Sequence, residues 1–110
     1  RVTVLARDAA KARSLAAAVG CQHGGLSDLA TRPWDVLINA TPLGSTPFVD
    51  QTPVPAELLR PNGVVFDMVY EPLETRLLRE AKAAGVEVLA YGAEITPQGM
   101  RLVRRLGMLL

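Results

Sequence analysis

The 110-residue sequence contains one cysteine and one histidine. A single Cys21 excludes an internal disulfide and a multi-cysteine zinc site, and it reads as a small buried hydrophobe. His23 stands in a glycine-flanked stretch with no carboxylate or serine partner visible in the sequence, so a solvated loop side chain is expected. A surplus of either charge is missing as well. Twelve basic against eleven acidic side chains leave a formal +1, which gives no surplus field to gather nucleic acid or an anionic membrane. No apolar run approaches the roughly 18–20 residues of a spanning helix. The opening Arg1-Val2-Thr3-Val4-Leu5-Ala6 has neither a long apolar signal region nor a cleavage site. A cytoplasmic domain with no metal, membrane or nucleic-acid partner is the expectation.

What is present is an apolar half, 49% hydrophobic against 21% charged. That is enough for a packed core at a length typical of one domain, about 100–150 residues, and too apolar for a disordered chain. One domain over residues 1–110 is therefore expected. The chain opens without Met, directly in a strand-like run, as a segment of a longer protein would.

Val2-Thr3-Val4-Leu5 has the composition of a buried parallel strand. Asp8 is placed to cap a following helix, on which Ala12, Leu15, Ala16 and Val19 recur as one apolar stripe, with Gly20 as a left-handed stop. Between Cys21 and Arg32 a short strand near Cys21 and Gln22 and a turn capped by Ser27 are expected. Asp35-Val36-Leu37-Ile38-Asn39-Ala40 and Val64-Val65-Phe66-Asp67-Met68-Val69-Tyr70 read as further strands, with a short helix from Pro55 to Arg60 between them. Leu73, Leu77, Leu78, Ala81 and Ala84 mark a helix stopped at Gly85, and Val86 to Ala90 a last strand. A final helix starts at Thr96-Pro97, with Met100, Val103, Leu106 and Leu110 on one face and Arg101, Arg104 and Arg105 mostly off it. Trp34 reads as core or rim packing. Strands alternating with helices imply parallel βαβ units in an open, doubly wound α/β sheet. Ligands then bind beyond the carboxyl ends of the strands, at the loops beginning at Ala6, Asn39, Tyr70 and Gly92.

The first loop carries Arg7 and Lys11, either ordinary surface charges or a fork for a ribose 2′-phosphate. Its Asp8 suits a ribose 2′-hydroxyl, but the helix cap claims it. In the second loop Asn39 and Thr41 precede Pro42 and Gly44, so polar groups and a close backbone approach meet at the ligand-facing edge. In the third, Tyr70 offers a hydroxyl and Met68 an apolar contact for a flat ring. Asp67, inside a strand, needs partners wherever it is buried and reads as a loop anchor.

Arg7 with Lys11-Ala12, the run Asn39-Ala40-Thr41-Pro42-Leu43-Gly44, Asp67-Met68-Val69-Tyr70 with Pro72 and Thr75, then Leu77-Leu78, Ala81, Gly85, Gly92 and Gln98 follow in order. Together they resemble the C-terminal, NADP-binding half of the shikimate dehydrogenase family over nearly the whole chain. The resemblance implies a Rossmann-like doubly wound sheet in three αβα layers, here incomplete, without the first strand and its glycine-rich turn. It implies NADPH-dependent reduction of 3-dehydroshikimate to shikimate, in aromatic amino-acid biosynthesis. The family's Asn-Arg-Thr clamp for the 2′-phosphate falls on Ala6, Arg7 and Asp8, with Lys11 as a second cation. Asn39, Ala40 and Thr41 match the loop along the middle of the cofactor, and Met68 and Gly92 match positions near the nicotinamide. Tyr70 and Gln98 match residues facing the substrate. The family's substrate domain, with the Lys and Asp that drive the proton step, is absent from this sequence. No catalytic residue is thus assigned here, and no turnover is expected of the segment alone. Ser45 stands where the family usually has Met, Gly99 replaces an Ala, and the Gly92–Gln98 spacing is one residue short. Two alternatives stay open: a quinate/shikimate dehydrogenase using NAD, and a non-catalytic metabolite sensor, to which Ser45, the short spacing and Ala6 lend weight.

Overall fold

In the computed structural model, residues 1–90 together with 97, 101 and 105 are described. The chain divides into two compact units, Arg1–Trp34 and Asp35–Leu110.

The first unit is a single βαβ turn. Strand β1 (Thr3–Leu5) and strand β2 (Gln22–Gly24) pair in parallel, Thr3 opposite Gln22 and Leu5 opposite Gly24, and helix α1 (Ala9–Val19) connects them. The helix starts as expected. Asp8 keeps an extended backbone and its Oδ1 accepts from the amides of Ala10 (3.0 Å) and Lys11 (3.2 Å), filling two of the donors left open in a first turn. It ends at Gly20, whose φ of 75° only glycine adopts without strain. The expected stripe is only half realised. Ala12 and Ala16 are 1% exposed against the strands, whereas Leu15 and Val19 are 53% and 65% exposed. The small alanines make the face that meets β1 and β2, and the larger pair stands on the helix flank.

The stretch after the helix also differs in detail. β2 runs through His23, which is an exposed strand residue and not a loop residue. The following turn, Leu26–Ala30, is a 3-10 turn. Asp28 and not Ser27 secures it, Oδ2 accepting from the Gly25 amide at 3.2 Å. Trp34 is half-buried, with its indole N–H enclosed.

The second unit holds three parallel strands in the order β3 (Val36–Asn39), β4 (Val64–Asp67) and β5 (Glu87–Leu89). Helix α2 (Arg76–Ala83) connects β4 to β5. Its buried side is the one the spacing marks: Leu77, Leu78 and Ala81 are at most 2% exposed and pack with Val65, which is fully buried. Leu73, on the same predicted stripe, precedes the helix and is exposed. Pro55 precedes a 3-10 turn, Ala56–Leu58, in place of the expected α-helix. The strand pairs are all parallel, so the α/β, Rossmann-like character holds. Each sheet is small, a pair of strands in the first unit and a triplet in the second, as an incomplete Rossmann-like domain would have. The predicted final helix lies outside the described residues apart from Pro97, Arg101 and Arg105, of which Arg105 bonds both carboxylate oxygens of Glu87 (2.9 and 3.0 Å). Among the described residues no helix is long and apolar enough to cross a membrane.

Replacing the α1 cap, Asp8→Ala, is expected to destabilise the protein by about 1 kcal/mol, with Asp8→Asn recovering most of the loss. Urea midpoints of the three proteins measure it; an unchanged midpoint for Asp8→Ala contradicts the capping role.

Candidate functional site

β3 and β4 are both shorter than the apolar runs that encode them, and for the same reason. Asn39 and Asp67 are partners on the last rung of the ladder, and each turns its side chain back onto its own backbone. Asn39 Oδ1 accepts from the Thr41 amide at 3.0 Å, and Asp67 Oδ1 accepts from the Val69 amide at 3.0 Å. Such turns give the backbone an alternative to the ladder and bend the chain out of the strand. Two loops therefore leave the sheet side by side.

The two side chains also bond each other. Asn39 Nδ2 donates to Asp67 Oδ1 (3.1 Å) and to the Leu43 carbonyl (3.1 Å). Thr75, the N-cap of α2, donates its hydroxyl to Asp67 Oδ2 at 2.7 Å and accepts from the Leu78 amide at 3.2 Å. Asp67 and Thr75 are fully buried and Asn39 is 3% exposed. A carboxylate out of water must be met by donors, and here three neutral ones meet it. Gly44 closes the set from the loop side. Its φ is 101°, and a side-chain carbon there would sit 3.4 Å from Thr75, so a bare backbone lies against the hub.

Above this hub opens a cleft of about 480 Å³, between residues 40–42 and 45–46 on one side and 68–71 on the other. Thr41, Met68 and Tyr70 are exposed along it. Ser45 tightens its rim, donating its hydroxyl to the Pro42 carbonyl at 2.7 Å. Glu71 is the one charged side chain among these lining residues.

The structure thus brings together five residues singled out in the sequence. Ala40, Thr41, Met68 and Tyr70 border one cleft, and Asn39 lies beneath it with its amide oxygen and nitrogen engaged. Ala6, Arg7, Asp8 and Lys11 belong to the turn between β1 and α1 of the first unit. There the Ala6 amide extends the ladder to the Gly24 carbonyl (3.3 Å) and Asp8 caps the helix. Arg7 and Lys11 are exposed, and no side-chain hydrogen bond or ion pair engages either among the described residues. Gly92 and Gln98 lie outside the described residues. Thr75 was not among the expected site residues. Its signal was available: a Thr three residues before Leu78, at the head of an apolar stripe, is a helix-cap pattern.

A scan against protein-family models finds no match. Comparison with curated proteins does find relatives. The chain is 43% identical over 99 residues to a protein from Methanosarcina acetivorans named shikimate dehydrogenase (NADP(+)), covering 90% of this chain and 35% of that protein. The chain spans about a third of the length of the curated relatives it matches. Among solved structures, a shikimate 5-dehydrogenase from Thermus thermophilus, in complex with NADP(H) and shikimate, aligns over 99% of this chain and 41% of its own at 37% identity and a TM-score of 0.73. A quinate dehydrogenase from Corynebacterium glutamicum in complex with NAD aligns over 99% of this chain and 42% of its own at 27% identity and a TM-score of 0.72.

Thr75→Val removes both a donor to a buried carboxylate and a helix cap. The expected loss is about 2–4 kcal/mol of stability, with Thr75→Ser recovering most of it. Chemical denaturation of the three proteins checks this, and a Val variant within about 0.5 kcal/mol of the parent, inside the ordinary scatter of surface changes, contradicts the hub.

Proposed function

We propose that this chain, which belongs to the shikimate dehydrogenase family, forms the NADP-holding part of an enzyme that moves hydride reversibly between nicotinamide and the hydroxyl-bearing carbon of shikimate. The observation that carries the reading is the alignment of nearly the whole chain with a structure holding both NADP(H) and shikimate.

The residues fit the cofactor's anionic end. Arg7 and Lys11 are exposed cations at the carboxyl end of β1, without an ion pair among the described residues, and a guanidinium forks onto a phosphate. Beside them Asp8 has an oxygen committed to α1, which disfavours its use as the acceptor for a free ribose 2′-hydroxyl. NADP is therefore preferred to NAD. NADP, when bound, supplies the hydride chemistry. The chain's own work is binding and orientation. Arg7 anchors the phosphate, with Ala6 and Lys11 flanking it. Ala40 and Thr41 line the middle of the cofactor, Met68 borders its nicotinamide, and Tyr70 orients the substrate. Asn39 acts through Thr41 rather than by touching ligand. Gly92 and Gln98 keep the roles the resemblance gives them, near nicotinamide and substrate. Holding the two reacting carbons in register is what this arrangement contributes to rate.

The proton gained or lost at the substrate oxygen is assigned to groups outside this chain, in a substrate domain such as the family carries. Of the two lysines here, Lys82 pairs with Glu74 at 3.3 Å on the exposed end of α2, and Lys11 lies on α1. A segment of this length is thus proposed to bind NADP without turnover, and the full protein to work in the cytoplasm.

Isothermal titration of the full-length protein tests the assignment. Arg7→Ala is expected to weaken NADP⁺ about tenfold or more, the worth of one charge-assisted pair, and NAD⁺ less than twofold. Equal loss for both removes the phosphate role and favours the NAD-using quinate reading.

A further inference from the structure

The loop after β3, residues 40–55, walls one side of the cleft with Ser45 and Thr46. Its two ends are held, by Gly44 lying against Thr75 and by Val54, which is 4% exposed. Between Gly44 and Val54 no residue is buried, so packing does not fix this span. Hydrogen bonds wind it instead. The Phe48 carbonyl accepts from the amides of Gly44 (3.1 Å) and Gln51 (3.0 Å). The outer turn at Asp50 and Gln51 is thereby tied, through one oxygen, to the cleft wall at Gly44 and Ser45.

That outer turn is held from another element. Arg76, the first residue of α2, donates Nη1 to the Asp50 carbonyl at 2.7 Å and Nε to Glu80 Oε1 at 2.8 Å. Its placement is poor for the helix itself. A cation in the first turn meets the positive end of the helix dipole, and α2 has no acidic residue in that turn. A base ahead of an acid at i,i+4 is also the weaker order for a helical pair. With the two side chains 45% and 25% exposed, the ion pair adds little to stability. The pair serves the loop instead. Glu80 takes Nε and so fixes the plane of the guanidinium, which aims Nη1 at Asp50. Thr75, the neighbour of Arg76, holds Asp67 at the exit of β4. Adjacent residues at one helix start thus hold the two loops that face each other across the cleft.

We propose that Arg76 is a positioning residue: through Asp50 it holds the loop after β3 at its working distance from the loop after β4 and sets the width of the cleft before a ligand arrives. A loop held beforehand need not be ordered on binding. The proposal rests on the reading that ligands enter this cleft, and it concerns a residue that does not line it.

On the full-length protein, Arg76→Met is expected to raise the KM for NADP⁺ and for shikimate about three- to tenfold, the worth of one solvated charge-assisted bond. The kcat should change less than twofold, because bound ligands re-form the wall. The urea midpoint should stay within the scatter of surface substitutions. The Kd of 2′-phosphoadenosine 5′-diphosphate, whose phosphates are assigned to Arg7, should stay within twofold. Hydrogen exchange at the Gly44 and Gln51 amides should quicken. Glu80→Ala should act in the same direction and add nothing on top of Arg76→Met. Arg76→Gln gives the same comparison should the Met variant fold poorly. Unchanged KM values, a loss confined to kcat, additive effects of the two substitutions, or equal weakening of the adenosine probe overturns the proposal while the NADP reading stands. Failure of the unaltered protein to bind both NADP⁺ and the adenosine probe overturns both.

Discussion

One buried carboxylate organises the second unit. Asp67 is fully enclosed, and leaving an ion there without donors costs several kcal/mol. Each hydrogen bond to a charged group returns about 1.5–3 kcal/mol, so the three donors together offset a cost of that size. They come from different places: the end of β3 (Asn39), the exit from β4 (Val69) and the cap of α2 (Thr75). Satisfying one side chain therefore sets where a strand stops, where a loop bends and where a helix begins. The ion pairs of this unit are of another order. Arg76–Glu80, Lys82–Glu74 and Arg105–Glu87 are solvated at one or both partners, and such pairs contribute about 0–1 kcal/mol. The hydrogen bond and charge of Glu80 raise the Arg76 pKa above its ordinary value, which changes nothing at neutral pH.

The same constraint builds the cleft. Because Asn39 and Asp67 share a rung, the turns they form are adjacent, and the residues thrown outward line one depression. The hub holds those turns from below while the cleft-facing surface is polar at Thr41 and apolar at Met68. A preorganised wall needs its side chains locked by a further layer of bonds, and here that layer is Asp67 and Thr75.

Features governed by near neighbours were legible in the sequence. Asp8 caps α1, Gly20 and Gly85 end the helices, and Leu77, Leu78 and Ala81 face the core. The motif around Asn39 and the one around Asp67 were both visible as strand ends, yet nothing local says they share a rung. That depends on strand register, a relation between positions 28 apart. Leu15 and Val19 were misplaced because periodicity marks an apolar stripe without saying how wide a face the strands beneath can cover. Ser27 yielded to Asp28 because a cap is chosen by which side chain reaches the open amide, and the longer carboxylate reaches Gly25. Thr75 was hidden in a different way: its capping pattern is local, but its bond to Asp67 is not.

Position 39 admits few alternatives, and this follows from the bonds alone. The side chain must donate to a carboxylate on one side and accept from a hydroxyl and an amide on the other. Aspartate would set two carboxylates together with no cation between them, which raises the cost of burying either. Serine and threonine have one proton and cannot donate to both Asp67 and the Leu43 carbonyl. Glutamine carries the right groups on a longer stem, and from the last rung of β3 it would displace the turn by about a methylene in a core that does not yield such space without strain. Asparagine meets all four partners from a strand terminus. Its fixed amide turns a negative charge buried below the sheet edge into an accepting hydroxyl at the cleft.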